Sequence, residues 1–275
     1  MPISSKLPNV GTTIFTVMSK LASDCGAINL SQGFPGFDCD SGLLDLVDKY
    51  MRAGHNQYAP MSGIPVLRER IAEKTKLVYD VDLNSENEVT VVSGATEALY
   101  AAVTAVVKRG DEVILFDPAY DSYAPAIALN GGIPVYVSLE MPDFCVDWEK
   151  VKSPHNPSGY VWTQEDLDTL ADLIQDRDIL VVSDEVYEHI TFDGRKHLSL
   201  LTHPVLKERT FVCGSFGKTF HVTGWKIGFC FAPPQLTAEF RKIHQFLTFS
   251  LAPSLQYALA DYLADPNRYL SLPDF

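Results

Sequence analysis

Residues 212–229 read VCGSFGKTFHVTGWKIGF and set Ser215, Lys218, Thr219 and Lys226 among glycines, directly after an apolar run. Hydroxyl and ammonium groups on a glycine-bearing loop can hold a phosphate, and a lysine there can instead be a reacting amine. The triplet Gly217-Lys218-Thr219 invites comparison with a nucleotide-binding P-loop. That template needs a further glycine five residues before the one preceding the lysine, and Val212 stands there. The nucleotide reading fails on that residue, so the role of Lys218 must come from the rest of the chain.

Three further polar clusters follow apolar runs. Ser93-Gly94-Ala95-Thr96 comes after EVTVV, Asp117-Pro118-Ala119-Tyr120 after EVILF, and Asp184 with Tyr187 after ILVVS. The first opens a helical pattern, where unpaired N–H groups and the positive dipole end favour an anion that Ser215 and Lys226 could also reach. Asp184 ends a buried strand, a costly place for a carboxylate unless a cation or several donors face it. Tyr187, three residues on, falls on the same side if the chain turns helically. Asn156 sits in SPHNPSGY, where two prolines and a glycine force an irregular loop. Tyr120 and Phe15 could stack on a ring. Each also has a plain structural reading: a helix cap, a turn aspartate, an Asn-Pro turn, a core aromatic. What separates them is that four clusters fall at four strand ends.

The elements that must position these residues alternate. EVTVV precedes the helical stretch ATEALYAAVTAVVKRG, and EVILF precedes a helix stopping at Asn130-Gly131-Gly132. IPVYVSL, ILVVS, TFVCG and WKIGFCFA read as further strands. SGIPVLRERIAEKTKLVY carries Val66, Leu67, Ile71, Leu77 and Val78 near helical spacing. Thr163 opens TQEDLDTLADLIQD with an acid three residues on, and two helices fill 234–265. The first thirty or so residues form an arm with one short helical stretch. This alternation predicts an α/β fold with a mostly parallel central sheet covered on both faces, and chemistry at the carboxyl ends of its strands.

The chain has 275 residues, 46% of them hydrophobic and 21% charged, with a net charge of -13. Such an acidic balance argues against nucleic acid and anionic membranes as partners. Five cysteines, an odd number without a C-x-x-C pair, exclude a disulfide scaffold and fit a reducing compartment. The histidines show no metal-ligand spacing. Without a signal-peptide core at the start or a run of 18 apolar residues, a cytoplasmic protein is the expectation.

Taken in order, SGATEAL, DPAYDSY, HNPSG, SDEVYEHI and SFGKTFHVTGWKIGF resemble the class I/II aminotransferases of the pyridoxal-phosphate-dependent fold type I. GFPGFDC and YAPMSGIPVLRE are nearest to the branch holding methionine aminotransferase and kynurenine aminotransferase (cysteine-S-conjugate β-lyase). The resemblance runs from about Asn9 to Leu263. It implies pyridoxal 5′-phosphate as cofactor and Lys218 as the amine that forms a Schiff base with it and later moves a proton. Asp184 would keep the pyridine nitrogen protonated, making the ring an electron sink. Asn156 and Tyr187 would bond the ring's O3′, and Tyr120 would stack on its face. The N–H groups of Ala95 and Thr96, with Ser215 and Lys226, would hold the phosphate, with Lys226 where many relatives carry arginine. Tyr58 would reach the phosphate of a neighbouring subunit, making a homodimer with shared sites. Gly33 and Phe15 would line the substrate end, which suits a methionine-like or aromatic side chain.

In that family's terms, residues 1–33 form the arm and part of the small domain, 34–265 the large cofactor-binding domain, and 266–275 the start of the C-terminal small domain. The sequence departs from the pattern in three places. Gly36 stands where the family carries aspartate. Lys152 runs directly into Ser153, where relatives carry a central strand. The portion holding the family's substrate-carboxylate arginine is not included. The expected function is transfer of an amino group from a hydrophobic or sulfur-containing L-amino acid to a 2-oxo acid. The alternatives are a β-lyase acting on cysteine S-conjugates, or a non-catalytic relative.

Overall fold

The computed structural model describes residues 3–33, 36–139, 144, 146, 148 and 161–272. In chain order the elements are α1 (Ile14–Cys25), α2 (Ser41–Arg52), α3 (Pro65–Tyr79), β1 (Val89–Val92), α4 (Gly94–Val106), β2 (Glu112–Asp117), α5 (Tyr123–Leu129) and β3 (Ile133–Ser138). There follow α6 (Gln164–Ile174), β4 (Val181–Asp184), α7 (Pro204–Lys207), β5 (Thr210–Ser215), α8 (Phe216–Thr219) and β6 (Gly228–Phe231). The last three are α9 (Pro234–Leu247), α10 (Pro253–Leu263) and α11 (Asn267–Leu270). Every strand and helix expected from the sequence is present among them.

Among the described residues the strands form a four-stranded sheet, in the order β1-β6-β5-β4, and a separate parallel pair, β2-β3. β4 and β5 are parallel, while β6 runs antiparallel to both of its neighbours. β1, β4 and β5 therefore share one direction, and β6 is the single reversed strand of that sheet.

Period-two alternation divides the strand side chains between two cores. Val89, Val91, Val212, Phe229 and Phe231 join one cluster with Leu67, Ile71, Leu170 and Leu259. Val92, Phe211, Cys213 and Cys230 join another, with α4 and Phe240. On α4, Ala98, Ala101 and Ala102 are fully buried, and their small side chains let the helix lie close on the sheet. On α3, Leu67 and Ile71 are buried as the spacing predicts, but Leu77 is 53% exposed, one turn beyond the sheet's cover. Thr163 and Asp166 make a reciprocal capping box at the start of α6. The helix α2 is not among the elements expected from the sequence; the Asp40 side chain caps it by accepting from the Leu43 N–H, and only Leu43 is fully covered.

Beyond β4 the chain is pinned to α3 by buried charge. Lys74 Nζ lies 2.7 Å from Glu188 Oε1, with side chains only 3% and 7% exposed, and the Tyr79 hydroxyl donates to Glu188 Oε2 at 2.8 Å. Burial, the largest single influence, would raise the Glu188 carboxyl, but the Lys74 ammonium together with its neighbours, the Tyr79 hydroxyl among them, outweighs it and holds the group down at about 2. Burial, reinforced by Lys74, lowers the neighbouring His189 ring to about 4. Both groups titrate below their ordinary values of 4.5 and 6.5, so the unfolded chain binds more protons in the acid range. Their stabilisation is full above about pH 6.5 and is lost as pH falls, first through His189 and then through Glu188. His197 works in the opposite sense at higher pH: burial would lower it, but its hydrogen bond with Glu185 raises it. Lys74→Met should cost about 3–5 kcal/mol in urea unfolding at pH 7, because it strands a buried carboxylate. That cost should shrink at pH 3, where the orphaned group takes a proton.

Candidate active site

The carboxyl ends of β1, β4 and β5 lie along one border of the sheet, and the reversed β6 brings its amino end, just after Lys226, to the same border. Gly228 pairs with Val92 on one side and with Ser215 on the other. A Cβ on Gly228 would run into the Gly214 carbonyl oxygen and stand 3.2 Å from the Ala95 nitrogen. Only a residue without a side chain lets α4 begin this close to the end of β5. Gly94 takes φ 75°, and a Cβ there would lie 3.2 Å from Lys226 Nζ.

The first N–H groups of α4, including those of Ala95 and Thr96, have no acceptor within their own helix. The Ser93 N–H is taken by Glu97 at 2.9 Å, and the other Glu97 oxygen meets the buried His244 ring at 2.9 Å. The Ser215 hydroxyl accepts from the Gly217 N–H at 3.1 Å and so caps α8. Ala95, Ser215 and Lys226, with Thr96 next along the helix, thus gather around one helix start. Their charge and donors suit an anion.

Lys218 projects from α8, and its ammonium donates to the Gly33 carbonyl. It lies 5.5 Å from the centre of the Tyr187 ring. A Cβ on Gly33 would approach Lys218 Nζ to 3.0 Å and the Tyr187 hydroxyl to 3.5 Å, so a larger residue would crowd both. Burial lowers the Lys218 ammonium below its ordinary range; the Asp184 charge opposes this and Lys226 adds to it. The Tyr187 phenol is raised by burial and then by the nearby charge of Asp184.

Asp184 is half-buried at the end of β4. Its Oδ2 accepts from the Tyr123 hydroxyl at 2.8 Å, and its Oδ1 from the Val186 N–H at 3.3 Å. Tyr123 also meets Tyr120 edge to face, with ring centres 5.5 Å apart. A cavity of about 1350 Å³ opens here, lined by Val113, Tyr123, Leu180, Ser183, Asp184 and Tyr187 among others. Sequence reasoning missed Tyr123: it sits in DPAYDSY beside Tyr120, and nothing in residue type tells which tyrosine faces the carboxylate.

Tyr58 is 86% exposed, its ring edge-on to Phe249 at 5.6 Å. Phe15 is half-buried on α1. Among the described contacts neither reaches Lys218. Asn156 lies outside the described residues. The assembled part pairs an amine of lowered basicity with a carboxylate answered by donors, next to a cradle for an anion.

The family model for "Aminotransferase class I and II" matches residues 26–272. The chain belongs to the class I and II aminotransferases. It is an enzyme of that class, and the family uses pyridoxal phosphate. This aminotransferase is 53% identical to the methionine aminotransferase of Escherichia coli K12, over 98% of this chain and 74% of the relative. It is 33% identical to human kynurenine–oxoglutarate transaminase 3, over 98% of this chain and 66% of the relative. Among solved structures, an E. coli protein described as having a methionine aminotransferase function superposes with a TM-score of 0.94 at 52% identity. That match covers all of this chain and 75% of the other. The N-succinyldiaminopimelate aminotransferase of Mycobacterium tuberculosis superposes at 0.92 with 36% identity, over 99% of this chain and 74% of the other. The match with the E. coli enzyme extends over 285 positions, more than the 275 residues of the aminotransferase itself, so that relative carries additional residues within the shared region. No helix among the described residues is long and apolar enough to cross a membrane.

Gly228→Ala should lower the unfolding free energy by about 1–3 kcal/mol, as overpacking does, because the obstructing atoms are backbone and cannot swing aside. Gly224→Ala, with open space around its Cβ position, should stay within about 0.5 kcal/mol in the same denaturation series.

Proposed function

We propose that this chain is a pyridoxal-phosphate-dependent aminotransferase that takes the amino group of a hydrophobic or sulfur-containing L-amino acid and delivers it to a 2-oxo acid. The observation carrying this reading is the arrangement around Lys218: a half-buried amine, lowered by burial, between the Tyr187 ring and the Gly33 carbonyl, on the sheet border shared with Asp184 and the start of α4. The donor set fits the cofactor. One end offers an ammonium, a hydroxyl and helix N–H groups for a phosphate; the other offers a carboxylate for a ring cation. Closeness to the E. coli methionine aminotransferase supports the substrate class, as does the apolar Phe15 at the proposed substrate end.

When bound, the cofactor supplies a carbonyl for the lysine and a ring that accepts electrons from the substrate's Cα. The chain's own residues do the rest. Lys218 is the reacting amine and the base that carries a proton away from Cα, and its lowered basicity leaves more of it neutral at working pH. Asp184 holds a proton on the ring nitrogen. Tyr187, with Asn156, bonds the O3′ oxygen, and Tyr120 covers one face of the ring. The Ala95 and Thr96 N–H groups, Ser215 and Lys226 grip the phosphate, Lys226 as a point charge instead of a fork. The exposed Tyr58 reaches the phosphate of a second subunit in a homodimer. Gly33 leaves room for the substrate beside Lys218.

Reconstitution with pyridoxal phosphate, borohydride reduction and peptide mapping test the chemistry: the tag should fall on Lys218 and vanish in Lys218→Ala. Asp184→Ala should retain cofactor but lose at least about 10²-fold in kcat, the scale of one electrostatic group lost from a site. In a substrate panel, methionine and phenylalanine should exceed aspartate in kcat/KM by tenfold or more, roughly one apolar pocket's discrimination. Aspartate outrunning methionine would overturn the substrate class, and a missing tag would overturn the chemistry.

A further inference from the structure

We propose that Tyr123 is a positioning residue for this site, fixing the Asp184 carboxylate through its hydroxyl and the plane of Tyr120 through its ring. The inference rests on the cofactor reading above and extends it to a residue that reading does not use.

Tyr123 is the first residue of α5, which follows β2, whereas Asp184 ends β4 in the other sheet. Its hydroxyl spans from one unit to the other and donates to Asp184 Oδ2 at 2.8 Å. The Val186 N–H occupies the other oxygen at 3.3 Å. Held on both oxygens, the carboxylate cannot rotate about its terminal torsion without breaking a bond.

The chemistry of the donor matters. A lysine or arginine here would neutralise Asp184 and compete with a cationic ring nitrogen for it. A phenol instead stabilises the charged carboxylate and stays neutral itself, so it adds no positive charge beside Asp184. The other function of Tyr123 is steric. Its ring stands at 77° to that of Tyr120, with centres 5.5 Å apart, the edge-to-face arrangement that aromatic pairs favour. One side chain thereby sets both the group assigned to the ring nitrogen and the group assigned to the ring face. Placement at the head of a helix suits this task, because α5 is held by Ala126 and Ile127, buried against Val103 and Leu115.

Two substitutions separate the two functions. Tyr123→Phe removes only the hydroxyl, and Tyr123→Leu removes the ring edge as well. Each variant and the wild type are reconstituted with pyridoxal phosphate. Cofactor dissociation is read by tryptophan fluorescence, the pH midpoint of the bound cofactor's visible band by absorbance, and attachment by borohydride mapping. Tyr123→Phe should weaken cofactor binding about tenfold, the scale of one hydrogen bond to a charged group, and should raise the midpoint. A carboxylate that has lost a donor draws the proton it shares with the ring nitrogen toward itself, and the ring withdraws fewer electrons. Tyr123→Leu should show the same midpoint shift and a further loss of affinity. A purely structural tyrosine would lower the melting temperature in both variants and leave the midpoint where it was. Wild type that carries the Lys218 tag, with an unshifted midpoint in Tyr123→Phe, overturns the assignment of Tyr123 alone. Wild type without any tag overturns the cofactor reading and this inference with it.

Discussion

A carboxylate at the end of a strand packed between apolar layers must be answered by donors, or the strand cannot stay where it is. Asp184 is that carboxylate, and the surroundings of β4 follow from answering it. Val181 and Val182 ahead of it belong to the cores on the two sides of the sheet, so the chain cannot shift to carry Asp184 outward without exposing them. The answer comes instead from a turn that offers the Val186 N–H and from a helix on the other strand pair that offers Tyr123. Lys218 contributes at longer range: the Asp184 charge resists the loss of its proton that burial promotes. An amine and an acid are thus held near enough for charge to be felt, with Lys218 donating to the Gly33 carbonyl and Asp184 accepting from Tyr123 and Val186.

Much of this was legible from residue order. Strand–helix alternation gave the layers, and the polar residues after each apolar run marked the border where strand ends meet. The one reversed strand strengthens the prediction, since it carries Lys226 to the border by its amino end where the other strands bring residues by their carboxyl ends. The illegible parts are contacts between residues far apart in sequence whose types are unremarkable. Tyr123 is one tyrosine of two in a short motif. The Lys74–Glu188 pair joins residues 114 positions apart, and no local pattern marks either as buried. Gly228 reads as an ordinary strand glycine until the backbones of β5 and of the α4 start are seen to converge on it. Exposed Tyr58 and half-buried Phe15, both assigned through resemblance, make no described contact with Lys218.

Relatives whose names carry methionine, kynurenine and N-succinyldiaminopimelate share nearly the whole of this chain's extent. Substrates so unlike in charge and size cannot be selected by the elements these proteins hold in common. Under the proposed function, the border of strand ends would serve the part of the reaction that these names share, handling an amino group. Space beside Lys218 is narrow: the missing side chain of Gly33 leaves 3.0 Å between the Cβ position and the Lys218 nitrogen.

The segment from Asp184 to His189 is gripped from opposite directions. Tyr123 holds its beginning from α5, and Lys74 and Tyr79 hold Glu188 from α3. Between them, Glu185 accepts from Ser183 and the Leu200 N–H and meets His197 at 3.0 Å. Apolar packing could bury the same residues at less desolvation cost, but it would define the turn's orientation less sharply, since dispersion contacts are indifferent to direction. Hydrogen bonds to carboxylates are not indifferent, because their energy falls steeply with distance and angle. Three successive anchored acids, 184, 185 and 188, convert a short turn into a rigid mount, and Tyr187 is carried on that mount between two of them.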